Sequence, residues 1–179
     1  HRVTFNALSL SFLPGIGFGI AATALVGQSV GARKIAEGGA AARVATTWAV
    51  AWMSAIAALL FVFAPQVLHL FTSDMAVVNA GANGLRVVAL LQPFWGVLFV
   101  QAGALRGSGN TTFPLLITGI GIWISVALGY VLIHTIGGGL ASVWAAFLAV
   151  APFMAFLMWR RFQRTGICER RKPSAALRK

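Results

Sequence analysis

The 179-residue sequence predicts an all-α fold, a polytopic bundle of about five membrane-spanning helices. Three observations carry that expectation. The first is where formal charge is missing. None falls between Arg2 and Arg33, none between Arg43 and Asp74, none from Val87 to Leu105 and none from Gly107 to Trp159. An ionised side chain in mid-bilayer costs roughly 2.5–3.5 kcal/mol on insertion scales, and water imposes no such cost. The second is composition. Hydrophobic residues make up 59% of the chain, charged residues 9%, and mean hydropathy is +0.85; soluble domains carry about 25% charged residues. The third is the placing of positive charge. Arg33, Lys34 and Arg43 flank one connection and Arg106 flanks another, while eight more Lys and Arg crowd positions 160–179. The connections between them, near Pro65–Asp74 and His134–Gly139, hold no Lys or Arg. That alternation is a positive-inside pattern, which puts the C-terminus in the cytoplasm and the start of the chain outside.

The same observations exclude other classes. A net charge of +11 invites nucleic acid as a partner, but the cations sit beside alternate spans and form no basic face with interleaved aromatics. A β-barrel needs alternating segments of about ten residues, which are not visible. Cys168 is the sole cysteine, which rules out a disulfide framework or thiolate metal cage. His1-Arg2-Val3 runs almost directly into a span, without initiator Met or signal peptide, so the chain reads as a piece of a longer polypeptide.

A first span, about 3–30, contains Pro14, which removes a backbone donor and should bend the helix. Gly15/Gly19 and Gly27/Gly31 form small-xxx-small pairs that let helices approach closely. A basic connection runs from Gly31 to Gly39. A second span, about 41–63, stops at Ala64-Pro65. Phe71-Thr72-Ser73-Asp74 makes an outer turn, with Ser73 or Asp74 as the N-cap of the next helix. The third segment, about 76–106, is too long for a simple crossing. Its Asn79, Asn83 and Arg86 predict an interfacial start before a membrane part bent at Pro93. After the Gly107–Asn110 turn come spans of about 113–134 and 140–160, separated by Gly137-Gly138-Gly139. Residues 1–164 thus form one bundle and 165–179 a basic cytoplasmic tail, whose cations can touch anionic lipid head groups.

Candidates for chemistry are few. The acids Glu37, Asp74 and Glu169 all lie outside the spans, so no proton or sodium site is expected within them. No hydrolase triad, metal-ligand cluster or phosphate loop is present, and neither enzyme activity nor a metal or cofactor is expected. Asn6, Gln28, Gln92 and Gln101 are amides in apolar helices. They need partners, either on other helices or in a water-filled substrate path. Phe12, Phe18, Phe94, Trp95 and Phe99 serve either as packing residues or as aromatic walls for an apolar cation. Arg106 is either a topological anchor or a gating charge, and His134 an interfacial histidine or a relay.

Two strings go further. One runs from Pro14 to Ala32 and contains Leu25-Val26-Gly27-Gln28-x-x-Gly31-Ala32. The other joins Gln92-Pro93-Phe94 to Gly103-Ala104-Leu105-Arg106-Gly107-Ser108-Gly109-Asn110-Thr111. Together they resemble the second half of multidrug and toxic compound extrusion (MATE) transporters, over almost the whole chain except the basic tail. The resemblance implies helices eight to twelve of a two-lobe, twelve-helix fold, hence half of a transporter. It also implies alternating access driven by H+ or Na+ antiport, and export of amphipathic or cationic small molecules from a bacterial cytoplasmic (inner) membrane. The third span lacks the carboxylate that one subgroup carries there. The chain is therefore closer to the subgroup similar to DNA-damage-inducible proteins, whose coupling acids lie in the other lobe. Within this resemblance Asn6, Phe12, Gln28, Gln92, Phe94 and Gln101 are cavity candidates, and Pro14, Gly17 and Pro93 are hinge candidates. The competing readings are a flippase of lipid-linked substrates, which would put fixed positive charge inside the cavity, and a non-transporting membrane remnant.

Overall fold

The computed structural model describes residues 2–70, 75–136 and 140–165. It contains α1 (Arg2–Gly31), α2 (Ile35–Val62), α3 (Ala64–His69), α4 (Met75–Gly107), α5 (Thr112–Ile136) and α6 (Leu140–Arg164). Five of these helices are long and apolar enough to cross a bilayer, so the chain is an integral membrane protein, all-helical among the described residues. The 71–74 turn with its Ser73/Asp74 cap, the 137–139 break and the tail from Gly166 lie outside the described residues.

Helix α4 is the axis. Over its span, Gly81–Gly107, 56% of the most apolar window is buried inside the protein, against 17–28% for the other four. Helices α1, α2, α3 and α6 pack on α4, while α5 packs on α6 and barely touches α4. Large apolar side chains such as Trp48, Trp52, Leu115 and Trp123 point outward, as hydrocarbon permits.

Helices α1 and α4 run parallel and touch backbone to backbone. A methyl on Gly19 would stand 2.7 Å from the Phe99 carbonyl oxygen, and one on Gly103 would strike the Gly19 carbonyl. One on Gly107 would strike the Thr23 carbonyl. The four-residue spacing of Gly15, Gly19, Thr23 and Gly27 matches that of Phe99, Gly103 and Gly107, so every turn of this seam meets a small residue or a backbone group. Gly31, the fourth glycine of the expected pairs, has open space around it.

One boundary differs from the sequence expectation. Helix α2 starts at Ile35, so Gly38 and Gly39 are helical and buried rather than part of the connection. A methyl on Gly38 would come within 3.0 Å of the Ser29 Cβ, and the glycine admits that contact. Helix α2 ends at Val62, just before Ala64-Pro65 as expected, and Pro65 then sits in the first turn of α3, where its missing N–H is one that no helical carbonyl needs. Helix α4 is continuous from Met75, and its first part packs on α3. Val78, Ala82, Leu85 and Val88 are buried with Ala64 and Leu68 of α3, and Arg86 donates through Nε to the Phe61 carbonyl at the end of α2, 3.4 Å away. That carbonyl belongs to a last turn whose acceptors have no intrahelical donor, so the arginine caps a neighbouring helix.

Two helix ends at the basic side terminate alike. Arg33 has φ 59° and Gly109 φ 88°. In each case the next N–H reaches back across the last turn: Lys34 to Ser29 O at 2.8 Å and Asn110 to Leu105 O at 2.9 Å. Asn110 Oδ1 then accepts from Phe113 N at 3.3 Å and caps α5. These ends gather Arg33, Lys34, Arg106, Arg161 and Arg164 at one side of the bundle, where Lys34 pairs with Glu37 at 3.2 Å.

Gly103→Ala places a methyl against the Gly19 carbonyl and should cost about 1–3 kcal/mol, read as a lower melting temperature in detergent. Gly119→Ala, which meets nothing within 4 Å, should leave it unchanged. Equal melting of the two variants would mean that α1 and α4 are not held this closely.

Candidate functional site

Because α5 packs on α6 and diverges from α4, a slot of about 400 Å³ opens beside α4. Phe12 of α1 closes its deep end. Trp95, Leu98, Phe99, Ala102 and Arg106 form the α4 wall, Thr118, Ile122 and Ser125 the α5 wall, and Phe147, Ala151 and Met154 the α6 floor. Each set recurs at three- and four-residue intervals and so lies on one helix face. The α5–α6 pair closes tightly because a Cβ on Gly121 would strike Met154, whose side chain crosses there. Ser125 spends its hydroxyl on the Gly121 carbonyl at 2.8 Å and presents little polarity to the slot.

The deep end is aromatic. Phe12 and Trp95 stack with centroids 4.4 Å apart and a tilt of 43°, and Phe12 meets Phe99 edge-on at 6.2 Å. The other end carries the one charged lining residue, Arg106, exposed in the last turn of α4. Beside that end the Arg161 guanidinium lies 5.3 Å from the Phe113 ring centroid, a cation–π contact that leaves it facing the aqueous boundary.

Two amides predicted from the sequence are buried in α4 but outside the slot. Gln101 donates through Nε2 to Thr46 Oγ1 at 3.1 Å, and that hydroxyl donates onward to the Ala42 carbonyl at 2.7 Å. Gln101 therefore ties α4 to α2. Gln92 is fully buried, and neither of its amide atoms finds a hydrogen-bond partner among the described residues. It shares a helix face with Leu85, Val88, Trp95 and Phe99, the face that meets Phe12 and Trp144. The Trp144 indole N–H is likewise buried and unpartnered there. Pro93, next to Gln92, offers no N–H to the Ala89 carbonyl, so one helical hydrogen bond is missing from the turn that carries Gln92.

Of the remaining candidates, Phe12 lines the slot, whereas Phe94 is half-buried and does not. Gln28 is exposed near the end of α1, away from the slot. The Asn6 side chain lies outside the described residues. Pro14 and Pro93 both stand inside continuous helices, and Gly17 is exposed, with nothing near its Cα face. Sequence reasoning missed the α5 and α6 walls. The signal available was Thr118 and Ser125, seven residues apart on an otherwise apolar helix.

The MatE family model matches residues 1–131. A probable multidrug resistance protein NorM of Thermotoga maritima is 29% identical over 158 residues, covering 88% of this chain and 34% of that protein. A multidrug resistance protein NorM of Burkholderia vietnamiensis is 32% identical over 169 residues, covering 90% and 36%. The chain thus spans about a third of the length of these relatives. Among solved structures, a MATE in complex with MaL6 aligns with a TM-score of 0.84 at 21% identity, over 94% of this chain and 39% of that one. An inward-facing and an outward-facing multidrug resistance MATE family transporter align at 0.82 each, with 22% and 23% identity, covering 94% of this chain and 40% and 38% of theirs. These structures establish a shared fold. With the family model covering most of its length, and with five membrane helices in the matching arrangement, this chain belongs to the MatE family of membrane transporters.

Proposed function

We propose that the chain is the C-terminal lobe of a secondary active efflux transporter, which exports amphipathic or cationic drugs by alternating access in exchange for H+ or Na+. The observation that carries this reading is the alignment of nearly the whole lobe with proteins named for multidrug resistance. The aromatic end of the slot supports it. Phe12, Trp95 and Phe99 offer π-faces at mid-span depth, suited to the flat apolar body of such compounds. The one carboxylate in the described helices, Glu37, stands in the first turn of α2 and pairs with Lys34; none lies in mid-span, so the coupling acid on this reading belongs to the rest of the transporter, in keeping with the subgroup similar to DNA-damage-inducible proteins. The basic ends of α1, α4 and α6 favour a cytoplasmic C-terminus and residence in the bacterial inner membrane. The lobe has no part in bond-making chemistry on this reading.

The bends complete the mechanism. A proline inside a helix removes one hydrogen bond and fixes a flexing point. Pro14 and Pro93 sit in the two helices that share the glycine seam, so α1 and α4 would bend together while their contact is kept. Gly17, with space around it, allows local adjustment next to Pro14.

The deciding experiment expresses the full-length transporter in a drug-sensitive host. Efflux of a cationic dye is followed with and without proton and sodium gradients. Gradient-dependent efflux is expected, and its absence for every cation tested would refute the reading. In the same assay Phe12→Ala combined with Trp95→Ala should slow efflux roughly 3- to 10-fold, the value of one or two aromatic contacts. Pro14→Ala or Pro93→Ala should reduce it at normal expression. Gln92→Leu separates function from stability. Removing a buried amide that lacks a partner should leave the melting temperature unchanged or higher, while efflux falls. A fall in both would make Gln92 a structural residue.

A further inference from the structure

We infer that the slot beside α4 holds one acyl chain of an anionic phospholipid, with the lipid phosphate on Arg106. The first ground is length. Eleven residues separate Trp95 from Arg106, a rise of about 16 Å along the helix. One leaflet supplies half of a hydrocarbon core of about 30 Å. The slot is thus as deep as one leaflet.

The second ground is its placing. The α4 span runs from Gly81 to Gly107, so Arg106 stands at its end and Trp95 close to its middle. A chain entering beside Arg106 would reach the aromatic end at the bilayer centre, as a chain in the surrounding leaflet does. The walls on that course, Leu98, Ala102, Ile122 and Met154, are apolar. The slight contact between α4 and α5 leaves a side opening through which a lipid can enter without leaving the membrane.

The third ground is charge. Arg106 is exposed and has no ion-pair partner among the described residues. The one described carboxylate, Glu37, is engaged by Lys34 at 3.2 Å. Arg161, the nearby cation, also stands at this end. A guanidinium is the side chain best matched to a phosphate. The second cavity of the lobe, about 310 Å³ between α2 and α4, has no charged lining residue and offers no such head-group contact. The charged end of the slot would take a lipid phosphate whether or not the transporter exports drugs.

The test uses the full-length transporter in mixed micelles. Brominated phosphatidylglycerol or brominated phosphatidylcholine is titrated in, and tryptophan quenching is measured. The Trp95 signal is the difference between wild type and Trp95→Phe. Phosphatidylglycerol should quench it at lower mole fraction than phosphatidylcholine. Arg106→Gln should weaken the anionic lipid about fivefold and leave the zwitterionic lipid unchanged, and Arg106→Lys should keep most of the preference. Ala102→Phe, which narrows the slot without touching the charge, should abolish quenching of Trp95 by both lipids. Equal quenching by the two lipids, or a preference that survives Arg106→Gln, overturns the inference. So does a cationic dye that protects Trp95 better after Arg106→Gln than the anionic lipid does in the wild type.

Discussion

The backbone contact between α1 and α4 is the constraint on which the rest of the lobe depends. In hydrocarbon, burying a leucine gains little, because lipid tails are as apolar as the side chain; helices associate through close packing and hydrogen bonds instead. Here the close packing is concentrated where Gly15, Gly19 and Gly27 face Phe99, Gly103 and Gly107. With α1 lying on one side of α4, Val26, Ala104 and Leu105 become buried together with Ala42 of α2 and Met158 of α6. The seam thereby also sets where α2 and α6 can sit.

Polar side chains act as secondary fastenings whose value comes from the apolar surroundings. Gln101 reaches across to Thr46, and Arg86 reaches across to the Phe61 carbonyl. One joins the middle of two helices, the other closes the end of one with a cation from its neighbour. Hydrogen bonds of this kind average well below 1–2 kcal/mol in membranes, so they select an arrangement that packing has already made possible. Gln92 stands apart, being fully buried without a partner among the described residues in the helix turn that Pro93 has loosened.

The slot arises from the uneven attachment of α5. Gly121 lets α5 close on α6, and no comparable glycine seam draws it to α4. Helices α1, α2 and α6 thus all pack directly on α4, whereas α5 joins the bundle through α6. The gap carries aromatic rings at one end and a guanidinium at the other.

Much of this was legible in the chain alone, because the bilayer acts on sequence directly. Hydrocarbon forbids unpaired charge, so the gaps between Arg2 and Arg33 or between Gly107 and Trp159 announce helices without reference to any contact. The number of spans and the lateral separation of cations come from that solvent rule, as does the small-residue face of α1. Contacts between segments distant in sequence could not be read in this way. That Gly103 and Gly107 complete the seam, that Gln101 serves Thr46 while Gln28 faces outward, and that Arg86 caps another helix all depend on helix rotation and relative height. So does the joining of Phe12, Trp95, Ser125 and Arg106 in one slot. Sequence determined which segments enter the membrane, since each residue meets lipid independently; tertiary structure alone decided which faces meet, since close packing is a property of pairs of surfaces.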